Sequence, residues 1–200
     1  MSLVELIAQA DERGLAVSGL ACLDRCVPLL GCDDEMLRPL WQSLTDTADS
    51  GDWALGLEQA RGKLDAFDEF DTADEAALLA RRMLAAAPAE RSAAEVRVWA
   101  DACSVAALQI HRLLDPAEDE GPSVDALPQA LNAVRAGQTL TQGRAEGMSP
   151  LVAAELRRQI TVLEVVAGHG PAGLRRALEV STEGRRVLRA VVSRRTRQQG

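Results

Sequence analysis

An all-α fold is what the sequence predicts: a single domain over residues 1–200, built as a bundle of about eight or nine helices. Three observations carry that expectation. The hydrophobic residues, 47% of the chain, are mostly Ala, Leu and Val, with two Phe, three Trp and no Tyr, so β-forming aromatics are scarce. Ala and Leu head the helix-propensity ranking, and summed over long windows that ranking is informative. Apolar residues recur at helical spacing throughout, and no stretch alternates in the manner of a strand.

The first helix is expected over about Leu3 to Arg13, ending at Gly14, a residue suited to the left-handed position past a helix end. A second spans about Leu15 to Val27 and stops at Pro28, which has no N–H and crowds the preceding turn. Asp33 and Asp34 suit the next helix start, and Leu37, Leu40, Trp41 and Leu44 form its stripe. Pro39 requires this helix either to begin near Arg38 or to be kinked. Gly51-Asp52 punctuates before a helix from Trp53 to about Phe67.

Thr72 with Glu75, and Ser92 with Glu95, read as capping boxes. The second opens a helix from about Ala93 to Leu114. Trp99, Ala102, Cys103, Ala106, Ile110, Leu113 and Leu114 line one side of it, marking it as the expected central helix. An acidic loop, Asp115 to Pro122, precedes a short helix capped by Ser123 and running to about Ala136. Residues 137–147 are polar and without period. Ser149-Pro150 then opens a helix that stops at Gly168-His169-Gly170. Pro171 starts a final basic helix at about 171–198, with a break allowed near Gly184.

The net charge of −8 is unevenly spread. From Pro171 to Gly200 there are eight Arg and two Glu, a local charge of +6, which leaves −14 on the first 170 residues. Such asymmetry marks candidate interaction surfaces. The chain has one Lys, Lys63, against 21 Arg, which reads as compositional bias. No apolar run approaches the ~18 residues of a membrane span, and the N-terminus lacks the basic and apolar regions of a signal peptide. A cytoplasmic protein with reduced thiols is therefore expected, so Cys22, Cys26, Cys32 and Cys103 are read as free.

The stretch Ala21-Cys22-Leu23-Asp24-Arg25-Cys26-Val27-Pro28 resembles the alanine-cysteine, arginine, proline signature of the YjaG-like family of small bacterial proteins. Leu40-Trp41-Gln42-Ser43-Leu44-Thr45, Asp68-Glu69-Phe70-Asp71, and Asp101-Ala102-Cys103 followed by His111-Arg112-Leu113 resemble further motifs of that family, in the same order. Leu29-Leu30 depart from it, standing where the family has a polar residue and a tyrosine. The resemblance implies an all-α fold of several helices and carries no assigned activity or site.

Few residues point to chemistry. There is no HExxH, GxSxG, P-loop or dinucleotide fingerprint, so nothing positively supports an enzyme and no cofactor is indicated. Cys22 and Cys26 lie four apart on one helix face and could join Cys32 or Cys103 in a thiolate site. Core packing is the favoured reading and no metal is assigned, because free cysteine behaves as a small buried hydrophobe. Asp101, on an apolar helix beside Cys103, is the ligand-site candidate; if buried it needs a partner such as Arg97 or Arg25. His111 is placed at the edge of its helix and His169 in a turn.

The C-terminal arginines Arg185, Arg186, Arg189, Arg194 and Arg195 form the interaction candidate. They allow a packed helix with a solvated face, docking on an acidic partner or a second copy, or binding to nucleic acid or anionic lipid. The pI near 4.9 and the absence of stacking aromatics near the tail argue against nucleic acid, and no membrane anchor is indicated. The expected function is protein–protein contact, with the protein as a homo-oligomer. The alternatives are small-molecule or metal binding near Asp101 and Cys103 with Cys22 and Cys26, or nucleic-acid binding through the arginines.

Overall fold

A computed structural model describes residues 1–45, 51–66, 74–115, 127–137 and 148–199. Its elements are α1 (Leu3–Gln9), α2 (Glu12–Cys26), a 3-10 turn (Val27–Leu29), α3 (Arg38–Gln42), α4 (Asp52–Asp65), α5 (Glu75–Ala85), α6 (Ala93–Leu113), α7 (Leu127–Arg135) and α8 (Pro150–Gln199). No strand occurs among the described residues. The all-α bundle is as the composition and periodicity predict.

Local rules place most boundaries. Ser2 caps α1 with both halves of a capping box closed on Glu5. Ser92 accepts from the Glu95 N–H at 3.3 Å and opens α6 where expected. Ser149 does the same for α8 through the Val152 N–H at 3.3 Å. Regular α3 begins at Arg38, so Pro39 falls in its first turn, where a missing N–H costs nothing.

The expected stop at Gly14 is wrong. The chain breaks at Ala10, and the Asp11 carboxylate accepts from the Gly14 N–H at 2.7 Å, so Gly14 lies inside α2 under its cap. The start of α5 is capped by Asp74, which accepts from Ala76 and Ala77. The Thr72 and Ser123 caps, and the Asp68 to Asp71 motif, lie outside the described residues. The expected interruption at Gly168-His169-Gly170 is present, and the break allowed near Gly184 is not. Gly170 alone leaves helical geometry, with φ 49° and ψ −128°, and divides α8 into two arms. At Gly184 the second arm is unbroken, and that glycine is buried against Arg25.

The central helix is α2, not α6. Every residue of α2 from Gly14 to Cys26 is buried, as befits a helix enclosed on all sides, and it packs chiefly on α6 and α8. α6 keeps an outer face, with Ala94, Val98, Asp101 and Ala102 exposed. One hydrophobic cluster runs from Leu3 to Leu188. At one end Trp53 meets Trp99 edge to face, 5.8 Å between centroids at 74°. The Trp99 ring fills the space where a Cβ on Gly19 would sit, 2.6 Å from its nearest carbon, so only glycine at that position lets the ring lie against α2.

Arginine forks close three helix ends. Arg61 donates to the carbonyls of Leu84, Ala85 and Ala87 at 3.3, 3.0 and 2.7 Å after α5. Arg97 donates to Ile7, Ala8 and Ala10 at 2.5, 3.1 and 3.2 Å after α1. Arg195 reaches Leu113 O at 3.1 Å after α6. Carbonyls at helix ends lack intrahelical donors, and a planar cation with five N–H groups serves several at once. The preference for Arg over Lys thus has structural uses beyond composition.

Candidate functional site

A chain of polar contacts runs from the surface of α6 into the middle of the bundle. Asp101 is half exposed and pairs with Arg135 of α7, whose side chain is buried. Arg135 Nε donates to Ser104 Oγ at 3.1 Å, and the Ser104 hydroxyl donates to Gln159 Oε1 at 2.6 Å. Gln159 Nε2 donates to Glu155 Oε1 at 2.9 Å and to Ser104 O at 3.3 Å. Glu155 is held by Arg25 of α2 through two bonds, Nε to Oε2 at 2.8 Å and Nη2 to Oε1 at 2.6 Å. Both members of that pair are fully buried.

His111 of α6 completes the cluster. It is buried, its Nδ1–H donates to Ala107 O at 2.7 Å, and its Nε2 lies 3.5 Å from Glu155 Oε2. Burial pushes its pKa below the ordinary value, against the pull of Glu155. For Glu155 burial acts upwards, but Arg25, His111 and Gln159 together hold it below the usual carboxylate range. The placement of His111 at a helix edge is corrected: it faces inward.

A second buried carboxylate lies one residue from Arg25. Asp24 receives Arg185 Nη1 of the second α8 arm at 3.1 Å, and the same nitrogen reaches Asp34 O at 2.7 Å. Arg189 pairs with Asp34 beside it. Burial raises Asp24 to about 6; Arg185, Arg25 and the Trp41 indole act against that rise, and Asp34 adds to it.

The structure separates Asp101 from the cysteines. Asp101 points outward while Cys103, two residues on, points inward towards Cys22 and Cys26, whose charges it would feel if ionised. Arg135, rather than Arg97 or Arg25, is the Asp101 partner. Burial pushes Cys22 up to about 12 and Cys26 and Cys103 well above the usual thiol range. A thiolate is the form that attacks or ligates, so these three behave as packing groups. Among the described residues no group of three His, Cys, Asp or Glu is arranged to hold a metal ion. Cys32 is partly buried and donates to Leu30 O at 3.4 Å.

The terminal arginines divide. Arg185 and Arg189 are committed to Asp24 and Asp34, and Arg195 to the α6 carbonyl. Arg186 and Arg194 are exposed, with Arg175, Arg176 and Arg197 on the same arm. Near Asp101, a pocket of about 310 Å³ is lined by Met1, Leu3, Val134, Arg135, Leu156 and Ile160, among others.

Sequence reasoning misses Glu155, Gln159 and Ser104 and misplaces His111, though a signal for all four exists. Val152, Glu155, Leu156, Gln159, Val162 and Leu163 share one helical phase, so two polar residues stand in an apolar stripe. Ser104 and His111 stand likewise among Val96, Ala100, Cys103, Ala107 and Ile110. Among the described residues no helix is long and apolar enough to cross a membrane. Compared with protein-family models, with curated proteins and with solved structures, the chain matches none of them.

Proposed function

We propose that this is a YjaG-like bacterial protein that works in the cytoplasm, without catalysis, through protein–protein contact, and that it self-associates. One observation carries this reading. Arg175, Arg186 and Arg197 stand eleven residues apart on the exposed side of α8, flanked by Arg176 and Arg194, and none forms an ion pair among the described residues. Eleven residues is close to three helical turns, so the guanidiniums line one face. The remainder of the chain is strongly acidic, which supplies a complementary surface on a second copy.

The test is mass in solution at about 50 mM and 500 mM salt, where screening lengths differ several-fold. Wild type is expected to associate at low salt and dissociate at high salt. R175E/R186E/R197E is expected to be monomeric at both. A wild type that is monomeric at every concentration and salt sinks self-association, and salt-dependent retention of a duplex would move the same face to nucleic acid.

The pocket beside Asp101 favours a second reading, a small-molecule site. Its volume lies at the lower end for ligand pockets, and its one buried cation, Arg135, is held in place by Asp101. Asp101→Asn is expected to abolish any ligand-induced rise in melting temperature found by screening carboxylic acids, while the protein stays folded. An unchanged rise in that variant would remove Asp101 from the site.

A further inference from the structure

The buried Arg25–Glu155 pair leaves one guanidinium nitrogen unused. Arg25 uses Nε and Nη2 on Glu155, and its Nη1 is sealed from solvent with no hydrogen-bond partner. Arg158, three residues after Glu155 on α8, has an Nη1 in the same condition. The two side chains lie against one glycine: a Cβ on Gly184 would sit 2.4 Å from Arg25 Cδ and 3.1 Å from Arg158 Cδ. Both charges act on His111, so both belong to one cluster. Glu155 balances one guanidinium; no described carboxylate pairs with the other.

A sealed donor without a partner is costly, and Arg158, although partly exposed, adds a positive charge beside the buried pair that a water would not offset. We propose that a single small anion, chloride in the cell, binds between Arg25 Nη1 and Arg158 Nη1 where α2 meets α8. The setting selects its size. Gly184 brings the second arm of α8 onto both arginine stems and the two nitrogens are out of contact with solvent, which favours a monatomic ion over a phosphate. Guanidinium N–H groups supply the charge-assisted bonds. The ion would tie the first arm of α8 to α2 beneath Gly184 of the second arm, away from the exposed arginines on that second arm.

The experiment replaces sodium gluconate with sodium chloride at constant ionic strength and follows thermal unfolding. Wild type is expected to gain a saturable rise, about 3–6 °C once chloride is tenfold above its dissociation constant. Arg158→Met keeps the stem packed on Gly184 and removes the donor; it is expected to fold and to lose the rise. A bromide-soaked crystal should show an anomalous peak within hydrogen-bond distance of both Nη1 atoms. No chloride-specific rise in wild type, an equal rise in Arg158→Met, or a site that gives no anomalous signal and so holds water would each overturn the proposal. R175E/R186E/R197E should retain the rise, which separates this site from the association face.

Discussion

Replacing Glu155 with alanine is expected to lower the unfolding free energy by about 3–5 kcal/mol, the usual cost of leaving one member of a buried pair uncompensated. Arg25 is fully buried, so its guanidinium cannot turn to water once the carboxylate is gone. Gln159 loses an acceptor at the same time. For a chain of this size the loss corresponds to roughly 10 °C in melting temperature. Urea unfolding of E155A gives the number directly. The pair itself need not be stabilising relative to apolar residues, so R25M/E155L is expected to return to within about 2 kcal/mol of wild type. A loss below about 1 kcal/mol in E155A would mean that the Arg25 site admits water.

Asp24 is expected to make the protein more stable as the pH falls from about 6 towards 4, against the usual trend for carboxylates. Burial raises its pKa from 3.8 to about 6 in the folded state. Between those values the folded state binds a proton that the unfolded chain releases, so unfolding becomes harder as protons become available. The whole effect is about 3 kcal/mol, since each tenfold change in proton affinity is worth about 1.4 kcal/mol. Two neighbours act the other way. His111 is depressed from 6.5 and Glu155 from 4.5, and each withdraws stability as the pH falls through its own range.

The informative quantity is therefore the difference between wild type and Asp24→Asn. Asparagine keeps an oxygen for Arg185 and carries no charge at any pH. The variant is expected to exceed wild type most at pH 7 and to converge with it near pH 4. A gap that stays constant from pH 4 to 7 would show that Asp24 does not titrate in that interval.

Local chemistry makes the helices legible in the sequence. Helix formation, the Ser92 and Ser149 starts, the Arg38 start of α3 and the approximate reach of α6 rest on propensity, period and capping, which act within a few residues. The misplaced boundary at Gly14 is local too, because Asp11 three residues earlier offers the better cap. The resemblance draws attention to Ala21 through Pro28, and the buried Arg25 lies in that stretch, but its partner is 130 positions away. Asp101 stands out in the sequence and does belong to the polar chain, at its exposed end and not its core.

Long-range packing settles which helix is central and which charges meet. Period reveals that a helix has an apolar face but not how many neighbours enclose it. On period alone α6, with its clear stripe, therefore ranks above α2, which is buried all round. Glu155, Gln159, Ser104 and His111 sit in buried phases, visible as exceptions to the pattern, yet their partners come from α2, α6, α7 and α8 at long range. The C-terminal arginines are equivalent as a sequence. Only the docking of α8 on α2 assigns Arg185 to the buried Asp24 and Arg189 to Asp34 at the rim, and leaves Arg175, Arg186 and Arg197 facing outward, because a helix offers only one of its sides to the core.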